Sequence, residues 1–497
     1  MEYLLLKTSL FFDNHKQKIL FSVLGISIFF VLASLYQRQI VPDDAWLAEQ
    51  AFAFAENGYV KSELFNGMLG YENRHLAYHR LHVWQGALAY KIFGWSPYVF
   101  KSITLFYFCL FLILAYFYIK KFSYQNQNKY VFVLFYTLAI VHAVTLEHAF
   151  IYRPDVFMMT LGFGSFFLLH SSICHQAWFK PLAAGVLAGA CVVAHLNGMV
   201  FVASGAILLL SFRRYRFFFL FLISSFLVST LYFYEIQSKE LFDLYLYQFT
   251  NSSALSEKEF SLFGLLLKLW AIHGPYFRHP AEAAYTLLFL FVMWTQRKKI
   301  KEDQNLKIIF IYFLSIAIAL AIINPGAKTL YLSYHMPYAI LLVSILFVHI
   351  YAESNKRKNW LLGLSLLYLT TQWSHAAIVF SRRTPDLVQQ HRTVAEKFNL
   401  VKGEKIIAPM MFVFNELENY KIQSFNKYYI DDYMGRMNFN APNFFLAAKN
   451  AQRSFIIATT ASMKQLGLFN IKRGIIVYGY EYIGSVHGYH GFRKIVQ

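Results

Sequence analysis

Residues 21–46 read FSVLGISIFFVLASLYQRQIVPDDAW. No charge interrupts residues 19–37, and a run of about 20 apolar residues is what a helix needs to cross the hydrocarbon core of a bilayer. That run exceeds the h-region of a signal peptide, and no clean A-x-A site follows, so it reads as an uncleaved anchor. Pro42-Asp43-Asp44 then lies a few residues past the membrane edge. Crowded carboxylates raise each other's proton affinity. Such a pair becomes useful where one member is a general base and the other binds a cation or orients a hydroxyl. The plainer reading is a Pro-Asp helix cap, because Ala45 begins a helical pattern.

The rest of the chain repeats the first motif. Of 497 residues, 57% are hydrophobic, 19% aromatic and 15% charged, and the net charge is +19. So few charges cannot keep that much apolar surface in water, which argues against a soluble or disordered chain. The spacing predicts spans at 19–37, 98–119, 130–146, 156–174, 181–196, 198–211, 217–234, 282–296, 308–323, 334–352 and 360–380. The pair 181–196 and 198–211 is broken by His195-Leu196-Asn197-Gly198 and reads as a helical hairpin or broken helix. With the N-terminus in the cytoplasm, six short loops on that side carry eighteen Lys or Arg, among them Arg213, Arg214, Lys298, Lys299 and Lys356. The opposite short loops, 147–155 and 324–333, carry one each, Arg153 and Lys328. This asymmetry is the positive-inside signature, and it takes up most of the net charge. The expected fold class is therefore a polytopic α-helical membrane protein of about eleven segments.

Two long external loops are expected, 38–97 and 235–281, with interfacial helices at Ala45–Tyr59 (Trp46, Phe52, Phe54) and Phe260–Ile272. The expected domains are a transmembrane unit, 1–380, and an extracytoplasmic α/β unit, 381–497. The latter is expected to contain helices at 385–400 and 461–468 and strands at 405–408, 454–459 and 475–480. It holds sixteen Lys or Arg against eight Asp or Glu. No separate basic stripe with interleaved aromatics occurs, so nucleic acid is not an expected partner. Cys109, Cys174 and Cys191 form no CxxC pair and read as small buried hydrophobes.

Four other groups join Asp43 and Asp44 on the external face. Glu147-His148 and Arg153-Pro154-Asp155 fill one short loop; such charges beside two spans face a polar cavity or simply a solvated loop. Tyr78-His79-Arg80-Leu81-His82 precedes the second span. Lys328, Tyr331, Tyr334 and His335 open the tenth. Their cations suit a phosphate, Arg as a fork and Lys as a point charge, or they anchor helix ends at the interface. His195-Leu196-Asn197-Gly198 is a polar break for a lipid, or a turn with a satisfied histidine. His142, His349 and His375 carry no expected role.

Residues 1–380 resemble the GT-C superfamily of polytopic glycosyltransferases, close in layout to the protein mannosyltransferase and aminoarabinose transferase group. The resemblance rests on Asp43-Asp44 with its juxtamembrane helix and on His79-Arg80-Leu81-His82, where the family often has a His-Pro-Pro-Leu-like motif. Phe93-Gly94-Trp95-Ser96, Arg153 with Asp155, the glycine-rich Gly185–Gly198 and a Tyr-Leu-x-x-x-x-Pro match at Tyr331–Pro337 complete it. Asp-Asp stands for the common Asp-Glu and the double proline is missing, so the acceptor does not carry over. The resemblance implies inverting transfer of a sugar from a polyprenyl-phosphate donor to an acceptor on the extracytoplasmic face, in a bacterial inner membrane. It assigns Asp44 or Asp43 as base, with Asp155 and Glu147 orienting the acceptor or holding a divalent cation, an ion that nothing in the sequence requires. Arg80, Arg153 and Lys328 would neutralise the phosphate, with His79, His82, His148 and Tyr331 also binding substrate. The competing classes are a lipid-sugar flippase or secondary transporter, which would place ionisable groups near the midplane, and a non-catalytic scaffold or lipid-sugar receptor.

Overall fold

The computed structural model describes residues 2–34, 40–123, 128–252, 264, 266–267, 274–323, 331–353, 355–381 and 386–495. Helices occupy most of the first 381 residues: α1 Glu2–Ser34, α2 Pro42–Asn57, α3 Arg80–Phe93, α4 Pro97–Phe122, α5 Asn128–Val141, α6 Ala143–His148 and α7 Pro154–His175. They continue as α8 Phe179–Ala194, α9 Met199–Ser211, α10 Tyr215–Ser229, α11 Lys239–Thr250, α12 Pro280–Thr295, α13 Gln304–Ile323, α14 Leu332–Glu353 and α15 Asn355–Ser381. Each predicted span overlaps one of these helices, except 130–146, which is broken at His142 between α5 and α6. Among the described residues, six helices are long and apolar enough to cross a membrane, and four shorter apolar ones accompany them. The expected count of eleven is thus not reached by length and composition. Only the positions 264, 266 and 267 of the expected helix at Phe260–Ile272 are described, and they are helical.

Packing in the bundle exploits small residues. A Cβ at Gly185 would fall 1.9 Å from Ser224 Oγ and 2.4 Å from the Phe221 carbonyl, so α8 and α10 pack nearly backbone to backbone. At the break, a Cβ on Gly198 would stand 2.2 Å from the Cys191 carbonyl carbon. Backbone cannot yield there as a flexible side chain would. Gly198→Ala is therefore expected to cost at least 1–3 kcal/mol, the usual range for overpacking, read as a lower melting temperature in detergent. Of the cysteines, only Cys191 is buried as expected; Cys109 is exposed, because an outward position on an apolar helix faces no protein.

The tail folds around a six-stranded sheet of order β2-β1-β3-β6-β5-β4. Its strands are β1 Lys405–Ala408, β2 Lys421–Ser424, β3 Phe455–Thr459, β4 Ile476–Val477, β5 Tyr480–Val486 and β6 Tyr489–Lys494. The first three run parallel and the rest antiparallel. Alternation divides the side chains: Ile406, Ile422, Phe455 and Ile457 enter one core, Ile407, Ile456 and Ala458 another. The first core is shared with α2 and with residues 60–78. Hydrogen bonds tie the same surfaces: the Ser424 amide donates to the Leu64 carbonyl at 2.9 Å, and Gln423 Nε2 donates to the Asn66 carbonyl at 2.6 Å. Helix α2 forms where the sequence predicts it. Its aromatics meet other rings, however: Phe52 lies 5.2 Å from Tyr90 and 5.5 Å from Trp95, and Trp46 lies 5.4 Å from Phe65.

Glu49 of α2 secures this contact. Its carboxylate accepts from the Ser62 hydroxyl at 2.6 Å and from the Glu63 and Leu64 amides at 2.8 and 3.0 Å. Burial pushes its pKa up to about 7 from 4.5, against those three hydrogen bonds. A raised folded-state value means the contribution is fully present below pH 4.5 and is lost as pH rises through 7. The span is worth on the order of 3 kcal/mol. Amide exchange at residues 62–64 is expected to quicken, beyond its intrinsic pH dependence, across that interval in the native chain and not in Glu49→Gln.

Candidate active site

The acidic pair divides into two roles. Asp44 is fully buried in the first turn of α2. Its Oδ2 accepts from the Val41 amide at 2.9 Å, its Oδ1 from the Tyr152 amide at 2.5 Å, and Lys101 Nζ lies 3.9 Å away. Burial pushes its carboxyl above the usual range, while Lys101 and the two amides pull the other way. Asp44 therefore clamps the 147–155 loop onto α2. Its neighbour Asp43 is 42% exposed at the side chain and ion-paired to Arg153 Nη1.

Arg153 joins the two halves of the site. It stands at the N-cap of α7, where Pro154 starts the helix, with one arm on Asp43 and its Nε 2.9 Å from Asp155 Oδ2. The other oxygen of Asp155 accepts from the Tyr334 hydroxyl at 3.2 Å. Tyr331 packs 5.7 Å from the Tyr334 ring and accepts from Asn197 Nδ2 at 3.2 Å. The Asn197 amide donates to His195 Nδ1 at 2.9 Å, and the His195 ring stacks on His79 at 4.3 Å. Asp43, Arg153, Asp155, Tyr331 and His79 thus converge through the polar break at 195–198. Burial, then His195 and Arg153, hold His79 well below the ordinary histidine value. It is a neutral imidazole close to Arg153 and Asp155.

Other expected site residues lie elsewhere. Arg80 is fully buried. Its guanidinium donates to the Tyr232 carbonyl and, at 3.1 Å, to the Leu76 carbonyl, and it pairs with Glu235 at 3.2 Å. A phosphate would have to break all three contacts, so Arg80 is a strut that ties Leu76 to Tyr232 and Glu235. His82, by contrast, stays beside the site: it is buried with its ring 4.2 Å from Tyr152, close enough to His79, Asp155 and Arg153 to feel their charges, and burial lowers it to about 3. Glu147 belongs to a second cluster: Arg278 Nη2 donates to both its oxygens at 2.9 and 2.8 Å, and His375 lies 3.8 Å away. His148 is buried, 3.8 Å from Glu147, and also feels Arg153 and Asp155. Burial lowers its pKa, so it stands neutral where the two clusters meet. Lys328 lies outside the described residues.

Several contributors were not singled out from the sequence. Lys101, Tyr152, Glu235 and Arg278 sit in apolar or mixed runs that signal span ends and nothing more. A lysine within the fourth helix was the one available hint of the Asp44 partner. Among the described residues, no three His, Cys, Asp or Glu side chains are grouped to hold a metal ion. Between Asp43 and Asp155, where a divalent cation would bridge two acids, the Arg153 guanidinium already stands, so those two residues do not fit such an ion.

This helical bundle, with a small C-terminal sheet packed against α2 and acids at helix ends, has counterparts among solved structures. ArnT from Cupriavidus metallidurans bound to undecaprenyl phosphate aligns over 97% of this chain and 99% of its own, at a TM-score of 0.62 and 11% identity. Its apo form gives the same TM-score of 0.62 at 10% identity, over 97% of this chain and 98% of its own. The archaeal oligosaccharyltransferase AglB from Archaeoglobus fulgidus, in complex with an inhibitory peptide and a dolichol-phosphate, aligns over 97% of this chain and 75% of its own, at a TM-score of 0.54 and 13% identity. The chain has the GT-C fold. No protein-family model and no curated protein sequence matches it. At these identities the likeness is one of architecture, near-complete in length against ArnT.

Proposed function

We propose that the chain is an inverting glycosyltransferase moving a sugar from a polyprenyl-phosphate donor to an acceptor hydroxyl on the extracytoplasmic face. One observation carries the reading: Arg153, the guanidinium at the head of a bundle helix, is shared by a part-exposed acid, Asp43, and a buried one, Asp155. A lipid phosphate arriving between the helices competes with Asp43 for Arg153, as a bidentate guanidinium site favours. That exchange frees the Asp43 carboxylate as general base for the acceptor hydroxyl, on the side of the anomeric carbon opposite the phosphate. The proton goes to Asp43, the new glycosidic bond forms, and the phosphate leaves with its electron pair against Arg153. Asp155, held by Tyr334, keeps Arg153 oriented, and Asp44 fixes the loop that carries it. The neighbours bound to undecaprenyl phosphate and a dolichol-phosphate support this choice of donor class.

The topology follows the lysine and arginine distribution: eleven spans, an N-terminus in the cytoplasm and residues 381–497 outside, in a bacterial inner membrane. The shorter helices, such as α12 with 16 residues, cross by thinning the bilayer locally. The charged groups described above gather at helix ends, which favours surface chemistry over transport through the midplane. Purified chain in nanodiscs, given undecaprenyl-phosphate-linked labelled sugars and a membrane extract as acceptor, is expected to transfer label. Transport of intact labelled lipid across the bilayer, without cleavage, would count for the flippase reading instead.

A further inference from the structure

The far end of α7 gathers cations that the transfer chemistry does not use. Arg153 stands at the N-cap of this helix, and Ser171 lies near its C-terminal end. Helical rise separates the two by about 27 Å, close to the roughly 30 Å of a bilayer's hydrocarbon core. Ser171 is buried, and its hydroxyl oxygen accepts from two ammonium groups. Lys121 Nζ, from the end of α4, donates at 2.8 Å, and Lys180 Nζ, from the start of α8, donates at 2.7 Å. Arg214, at the N-cap of α10, donates from Nη2 to the Ile173 carbonyl of α7 at 3.1 Å. All three cations are near enough to Cys174 to act on it. Among the described residues, no Asp or Glu forms an ion pair with any of them.

Cations at a helix C-terminus offset its dipole, which is the plainer use of this group. The charges do not balance on that account. A helix end carries about half a negative charge, against three full positive ones. Two of the three meet through a single oxygen, within two hydrogen-bond lengths of each other, where like charges repel. Each ammonium has three donors and uses one on Ser171, whose hydroxyl offers a dipole and no counter-charge. The arrangement is short of an anion.

We propose that the phosphodiester of an anionic phospholipid binds between Lys121 and Lys180, in the leaflet opposite the transfer site. A phosphodiester carries one negative charge and two non-bridging oxygens, one for each ammonium, and charge-assisted hydrogen bonds of this kind are strong. The surroundings favour a lipid over a soluble anion. Trp178 and Phe179 directly precede Lys180, Tyr215 directly follows Arg214, and all three rings are exposed. Tryptophan and tyrosine at such positions settle at headgroup level. Phe117, one helical turn before Lys121 on α4, is exposed as well and offers an apolar surface to an acyl chain. With the orientation proposed above, this leaflet is the cytoplasmic one, where basic pockets between membrane helices take anionic headgroups. The site ties the ends of α4, α7 and α8 together whatever reaction the other face performs.

The test uses the full chain in nanodiscs of phosphatidylcholine, with or without phosphatidylglycerol, and reads melting temperature and the binding of spin-labelled lipids. The native chain is expected to melt higher with phosphatidylglycerol, as a ligand of the folded state requires, and to prefer labelled phosphatidylglycerol to labelled phosphatidylcholine. Lys121→Gln combined with Lys180→Gln should weaken that preference by about fivefold per lysine. Lys298→Gln combined with Lys301→Gln removes the same charge from another exposed segment and should leave it unchanged. Equal losses in the two double variants would mean diffuse attraction to the surface and would overturn the site, as would a native chain with no preference. In phosphatidylcholine alone, replacing chloride by inorganic phosphate at fixed ionic strength should leave native melting unchanged. Stabilisation by phosphate that is lost in the Lys121 and Lys180 double variant would make the ligand a soluble anion and overturn the lipid.

Discussion

Asp43→Asn is expected to reduce sugar transfer by about 10²–10⁴-fold, the usual contribution of a positioned general base. The substitution keeps shape and removes only the proton acceptor, at a residue whose side chain is 42% exposed, so the fold should survive and melting should shift little. Asp44→Asn should behave differently. Asp44 is fully buried beside Lys101 and receives the Val41 and Tyr152 amides. Losing its charge leaves a buried lysine without that counter-charge, which is costly, so it is expected to lower melting and activity together. Comparable activity losses without melting loss in both variants would contradict the division of the pair into base and clamp.

Arg153→Lys is the second large effect. Lysine keeps the charge but cannot hold Asp43, Asp155 and a phosphate through a planar fork. Transfer is expected to fall by about 10²–10³-fold, as when a charge-stabilising donor is removed, with a matching loss of undecaprenyl phosphate affinity measured by competition. Arg153→Gln should be worse for stability, since it strands Asp155, 3% exposed, without its cation. A lysine variant with native affinity for the lipid phosphate would remove Arg153 from the donor site.

Much of the bundle is legible in the sequence because the predicted spans hold only two charges, Lys101 and Glu282, both near span ends, and Lys or Arg cluster in the short loops between them. The tail is only half legible. Strand β1 falls where predicted, since the apolar, β-branched Ile406-Ile407 follows a glycine turn, and the strand at 454–459 appears as Phe455–Thr459. Strands β2 and β6 were not predicted: four residues, KIQS, give no period, and Tyr489–Lys494 is rich in glycine and charge. Pairing with neighbours, which no local pattern records, makes them strands.

The same limit governs the site. Asp43, Arg153 and Asp155 are recognisable because acids at span ends are rare in so apolar a chain. Nothing local separates Asp43 from Asp44; only the fold shows that Tyr152, 108 residues later, occupies one of them. Arg80 looks equally available in sequence, yet Glu235, Tyr232 and Leu76 occupy its guanidinium. The partners that retire it come from residues 76, 232 and 235, which carry no pairing signal in the sequence.

The most direct test follows one labelled donor to its products. With undecaprenyl phosphate carrying a sugar of known anomeric configuration, the native chain is expected to release one free undecaprenyl phosphate for each sugar moved. The new glycosidic bond should have the inverted configuration, and Asp43→Asn should lose both products together. Label remaining on the lipid in the native chain, or transfer with retained configuration, would contradict the proposed single displacement.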